Sequence, residues 1–195
     1  NKFVDINIVK NYGLFVIIGV LLGTIFAALM QTKSLVLFFS VVVYFLGTYL
    51  LLNSDKIQQN RKKFEILPRL FFGFVSGFVS APMGIGGAVM NVPVLRYFGY
   101  PIKKAIGSAA AIGFIIALFG AIGFLISGSF LKANLPLSIG FINIPAFLIF
   151  VPITTFMARV GANSVNKIDK SKVQSLFGVF LYVVGTIFIY RYLSL

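Results

Sequence analysis

A series of apolar runs, each near the length of a bilayer crossing and separated by the charged residues, constrains this chain most. Six can be drawn. A runs from about Tyr12 to Met30, B from about Leu35 to Leu52 and C from about Leu70 to Phe98. D runs from about Ile102 to Ile126, E from about Leu137 to Val160 and F from about Val173 to Leu193. A spanning helix needs about 20 apolar residues, and several runs reach that length. Apolar residues make up 59% of the 195, charged residues 11%, and mean hydropathy is +1.01, more apolar surface than a soluble domain this size can hide. The expected fold is an all-α polytopic membrane protein in the lipid bilayer.

The net charge of +13 would suggest nucleic acid in a soluble protein. Here the bases lie between apolar spans, the signature of cytoplasmic loops, so no nucleic-acid partner is expected. The absence of cysteine and histidine excludes disulfides, thiolate chemistry, imidazole bases and most transition-metal sites. No metal, cofactor or enzymatic activity is expected. The four acids, Asp5, Asp55, Glu65 and Asp169, all fall at loop positions. No span therefore offers a carboxylate for proton or sodium coupling, and an anion carrier driven by the membrane potential needs none.

Segment C is interrupted. It reads Ser76-Gly77, then Ser80 to Ala88 as SAPMGIGGA, and ends Asn91-Val92-Pro93. A broken helix in hydrocarbon frees backbone groups and is tolerated where protein or a polar cavity satisfies them, which is where transporters place substrate. Glycines let backbone approach a ligand. A helix restarting after the turn presents unpaired N–H groups and the positive end of its dipole, a setting that favours anions. Pro82 and Pro93 flank the turn and are expected to disrupt helical bonding there. Ser76, Ser80 and Asn91 add neutral donors, and Gly107-Ser108 follows on segment D. The candidate substrate-binding residues are Ser80, Gly84, Gly86, Gly87, Asn91 and Ser108. Gly113, Gly120 and Gly123 read as packing residues. Thr154, Thr155 and Thr186 read as bonding backbone carbonyls, and Asn143 as a cap or loop residue.

Lysine and arginine decide the topology of C. If C crosses once, the 17 bases split nine to eight, with no bias between sides. If C turns at Gly84–Gly87 and returns, only Lys33, Lys132 and Arg191 lie outside and the other 14 lie inside. The positive-inside rule selects the second arrangement, with two arms of about 13 residues.

An internal repeat adds to this. Phe39 to Thr48 aligns with Phe177 to Thr186 at an offset of 138, with Phe, Val, Tyr, Gly and Thr matching in register. Segments A and E match more weakly, through Thr24, Phe26 and Ala28 against Thr154, Phe156 and Ala158. With C returning, B ends inside and F outside, so the repeats are inverted, a known transporter plan. Residues 1–52 read as the last two helices of a first repeat and 53–69 as a basic cytoplasmic linker. Residues 70–195 read as a second repeat: the glycine-broken hairpin plus three transmembrane helices. The chain opens on Asn1 without a leader pattern, and the offset puts the partner of the glycine turn upstream of Asn1. An upstream copy is therefore expected.

The stretch from Gly77 to Pro93, GFVSAPMGIGGAVMNVP, and that from Gly99 to Ser108, GYPIKKAIGS, resemble the TauE/SafE family of sulfite exporters. Ala158 to Ala162 and Phe177 to Leu181 resemble the family's last two helices. Ala88 stands in place of a third glycine, Ser108-Ala109 in place of a Thr-Ser pair, and one of the family's two motif copies is present. The resemblance implies a permease moving sulfite or related organosulfur or organic anions across the bacterial inner membrane. A passive anion channel and a non-transporting scaffold or accessory subunit are the alternatives, and homo-oligomer formation is left open.

Overall fold

A computed structural model describes residues 4–52, 65–84, 86–131, 135–165 and 170–194. Among them the order is α1 (Ile6–Leu29), α2 (Thr32–Leu52), α3 (Ile66–Met83), α4 (Ala88–Tyr97) and α5 (Ile102–Phe130), then α6 (Ile144–Val165) and α7 (Lys170–Ser194). Two paired two-residue strands, β1 (Ser138–Ile139) and β2 (Ile142–Asn143), precede α6. Helices α1, α2, α3, α5 and α7 are each long and apolar enough to span a membrane. The protein is an all-α, multi-pass membrane protein.

The helices gather into two compact units, each discontinuous in sequence. One holds α1, α3, α4 and α5, and the other α2, α6 and α7.

In the first unit, α1 runs parallel to α3 in backbone contact. Gly19 and Gly23 of α1 lie against Phe74 and Phe78, while Gly73 and Gly77 of α3 lie against Tyr12 and Val16. A Cβ on Gly77 would run into the Val16 carbonyl, and one on Gly19 into that of Phe74. Without a hydrophobic drive between helices in lipid, such small-residue approach is what lets them associate. The buried core of the unit centres on Tyr12, Val16, Val20, Leu95, Ile112 and Ile116.

Segment C doubles back. Phe72 near the start of α3 meets Phe98 just after α4, ring centroids 5.9 Å apart, and Ser76 bonds Asn91. The two ends of the pair therefore lie together. Its arms are unequal, 18 and 10 residues, where equal arms of about 13 were expected. Helix α3 begins at Ile66, four residues earlier than its apolar run, because Pro68 and Arg69 fit the first helical turn. Proline there forfeits only an N–H that has no partner in a helix start, and the Arg69 N–H bonds the Glu65 carbonyl. Pro82 and Pro93 flank the turn from inside α3 and α4, where the helices continue through them, and the helix boundary is set at Gly84.

In the second unit, α2 and α7 pack antiparallel. Tyr44 OH lies 2.8 Å from Thr186 Oγ1, and Thr48 Oγ1 lies 2.6 Å from Tyr182 OH. Each threonine also donates to the carbonyl four residues back, Thr48 to Tyr44 and Thr186 to Tyr182. With the threonine protons so committed, each tyrosine donates across to the other helix. Gly47 faces the Tyr182 ring and Gly185 the Tyr44 ring. The contacts are reciprocal, as in a self-complementary interface. They join the residues that align at the offset of 138. At the other end of this pair the Lys33 ammonium sits over the Tyr192 ring at 5.2 Å. Asn143 caps α6 by accepting from the Ala146 N–H, and Thr154 and Thr155 bond carbonyls one turn back, as their positions suggested.

Candidate functional site

The break is built by Gly84, which ends α3 at a φ of 60°, with its N–H on the Ala81 carbonyl. That left-handed conformation strains any residue with a Cβ and suits glycine. Helix α4 restarts at Ala88 behind Gly87, which has no side chain to cap it. The positive end of the α4 dipole lies at this turn.

A cavity of about 260 Å³ opens beside the turn. Ser80, Ala81, Gly84 and Gly86 line it from the hairpin, and Gly113, Ile116, Gly120 and Phe124 are among the α5 residues opposite. It exceeds severalfold the space that one water requires. No described residue that lines it ionises, and Ser80 supplies the hydroxyl among them.

Two buried polar groups here have no protein partner among the described residues. They are Ser80 Oγ, on a residue 2% exposed, and Asn91 Nδ2, on a residue with no exposure at all. Native structures satisfy nearly all such groups, so these two orphans single out the region beside the turn. The other end of the Asn91 amide is fully engaged. Its Oδ1 accepts from Tyr12 OH at 2.7 Å and from Ser76 Oγ at 2.8 Å. Nδ2 is turned back toward the start of α4, 2.6 Å from where a Cβ on Gly87 would stand. Ile116 Cδ1 lies 2.7 Å from that same point, so Gly87 leaves room for both.

Of the six expected site residues, Ser80, Gly84 and Gly86 share the cavity wall, and Gly87 and Asn91 stand immediately behind it. Gly86 has open space where a Cβ would go. Ser108 lies elsewhere. Its Oγ accepts from the Asp5 N–H at 3.0 Å, at the opening end of α1, where Asp5 also caps the helix. Beside it Asp5, Asn7, Asn11, Arg69 and Tyr100 line a second, polar cavity of about 230 Å³. Burial raises the pKa of the Tyr100 hydroxyl above its ordinary value, against the pull of the Arg69 guanidinium, so it is neutral at physiological pH.

Sequence reasoning missed Tyr12. Its partner Asn91 is 79 residues away, and a tyrosine opening an apolar run carries no local mark of that pairing. Gly113, read as packing, does pack, but against Gly87 at the start of α4, which seats the site on α5.

The profile of the family described as Sulfite exporter TauE/SafE matches residues 1–188. A probable membrane transporter protein of Haemophilus influenzae is 33% identical over 147 residues, covering 75% of this chain and 56% of the relative. A probable membrane transporter protein of Methanocaldococcus jannaschii is 27% identical over 131 residues, covering 67% and 47%. The chain spans about half the length of these curated relatives. No solved structure matches it.

Proposed function

The chain belongs to the TauE/SafE sulfite exporter family, and on that premise we propose that it carries small oxyanions, sulfite among them, across the cell's inner membrane. The observation that carries this reading is the pair of buried donors without a protein partner among the described residues, Ser80 Oγ on the cavity wall and Asn91 Nδ2 behind it in the first turns of α4. An oxyanion offers acceptors only. It answers hydroxyl and amide N–H donors and is favoured by the helix dipole without a formal positive charge in the site. A site of dipoles binds weakly enough to release its ion, as transport requires.

We read residues 1–52 as the end of a first repeat, 53–69 as a linker and 70–195 as a second repeat of opposite orientation. The reciprocal Tyr44–Thr186 and Thr48–Tyr182 contacts support that reading, since antiparallel, repeat-related helices meet residue for residue. Each compact unit draws helices from both proposed repeats. Alternating access then moves the two inverted repeats relative to each other.

The test is sulfite counterflow in proteoliposomes carrying the full chain. The reading predicts saturable uptake of labelled sulfite driven by unlabelled sulfite inside. It also predicts that Gly86→Val, which fills the cavity from its wall, abolishes the flux while membrane insertion persists. Flux linear in concentration without counterflow would make the protein a channel. Wild-type flux in the variant would remove the break from the path.

A further inference from the structure

We propose that Tyr12 and Ser76 are positioning residues that hold the Asn91 carboxamide with its N–H donors toward the start of α4, making the site donor-only. The inference rests on the oxyanion reading above and adds two residues to it that touch no substrate.

A carboxamide has two nearly isosteric ends, one accepting and one donating, and burial alone does not choose between them. If the oxygen faced the cavity it would repel an oxyanion. Here Asn91 Oδ1 carries one hydrogen bond from Tyr12 OH on α1 and one from Ser76 Oγ on α3, which fills both lone pairs. Tyr12, Ser76 and Asn91 are all buried, at no more than 1% exposure, so water does not compete for these bonds. Turning the amide over would take the acceptor from both hydroxyl protons, leave each hydroxyl to accept from Nδ2 instead, and point Oδ1 toward Gly87 and Ile116. With the oxygen held, Nδ2 has only the direction of Gly87, Ile116 and the first turn of α4.

The framework around the three residues is rigid where it needs to be. Gly73 and Gly77 bring α3 onto α1 in backbone contact on either side of Ser76, and Gly73 packs on Tyr12 itself. The two hydroxyls thus come from two helices fixed to each other, and the amide from a third, α4. Nδ2 is left unbonded within the protein, although leaving a buried donor unpaired is unfavourable. Binding of an acceptor ligand removes that penalty, and the lock ensures that the ligand meets donors.

A double-mutant cycle on sulfite counterflow in the full chain tests this. Tyr12→Phe and Ser76→Ala each delete one hydroxyl. Together they are expected to raise the KM for sulfite about tenfold, the loss of about one charge-assisted hydrogen bond, with the maximal rate near wild type. In an Asn91→Ala background, adding Tyr12→Phe is expected to change KM no further, because the tyrosine acts through the amide. An unchanged KM in the double variant, or an equal effect of Tyr12→Phe with and without Asn91, would overturn the lock and leave the oxyanion site standing. Should the double variant fail to insert, Tyr12→Phe alone is read in the same way, with an unchanged KM overturning the lock. Asn91→Asp separates the two claims. It keeps an oxygen for Tyr12 and Ser76 but replaces the donors with a second acceptor, so sulfite affinity should fall a hundredfold or more. Wild-type affinity in that variant would sink the oxyanion reading itself.

Discussion

The start of α4 and the α2–α7 pair treat polar groups in opposite ways. Between α2 and α7, Tyr44, Thr48, Tyr182 and Thr186 form two complete chains, in which each tyrosine donates across and each threonine donates to its own backbone. At the break, Ser80 Oγ and Asn91 Nδ2 are buried and have no protein partner among the described residues. Hydrocarbon penalises both arrangements unless they are satisfied, so a closed set of bonds is structure and an open one awaits a ligand. On the proposed reading the contrast separates scaffold from candidate site.

The largest expected effect comes from closing the open region. Gly86→Val should reduce sulfite flux at least a hundredfold, measured by counterflow, while Gly86→Ala stays near wild type because its Cβ meets nothing within 4 Å. Gly87→Ala should be worse than Gly86→Ala, since its Cβ would crowd both Asn91 Nδ2 and Ile116 Cδ1. Overpacking of that kind costs about 1–3 kcal/mol and displaces the amide, so both thermal stability and flux should drop. A smaller effect is expected in the closed region. Tyr182→Phe should lower stability by about 0.6 kcal/mol, the average for hydrogen bonds between membrane helices, and leave the sulfite KM unchanged. The same loss is expected for Tyr44→Phe, because its contact is the reciprocal one. The smallest effect sharpens the comparison most. Ser80→Ala removes an orphan hydroxyl and should leave thermal stability equal or slightly higher while weakening sulfite, whereas Thr48→Val removes a satisfied one and should lower stability.

Much of this fold was legible because membranes write it in simple terms. Five of the six apolar runs overlap a helix long and apolar enough to span, run E being the exception among the described residues, and the hairpin that the lysine and arginine count favoured for segment C matches the contact of Phe72 with Phe98. The proposed repeat was read from Tyr, Gly and Thr, and those residues meet across α2 and α7. Helix α3 was misread at its start because Pro68 and Arg69 look like connector, yet the first turn of a helix tolerates both. Asp55, Asp169 and most of the basic linker lie outside the described residues.

The site was legible in part. Glycines at the turn and the donors near it stood out locally, so Ser80, Gly84, Gly86, Gly87 and Asn91 came together as a group. Ser108 was grouped with them on chain order, but its partner is Asp5, 103 residues away. Tyr12 was overlooked for the converse reason. Its hydroxyl reaches Asn91 only because glycines bring α1 against α3, and such an approach leaves no pattern around the tyrosine itself. Long-range pairing between single polar residues is the information that periodicity and charge counts do not carry.

The central claim is that the donors at the start of α4 bind an oxyanion, and ligand-linked stability tests it most directly. A ligand that binds the folded protein raises Tm with its concentration. The purified wild-type protein should gain Tm on titration with sulfite, and Asn91→Asp should show no such gain. An equal, saturable rise in both proteins would contradict the account.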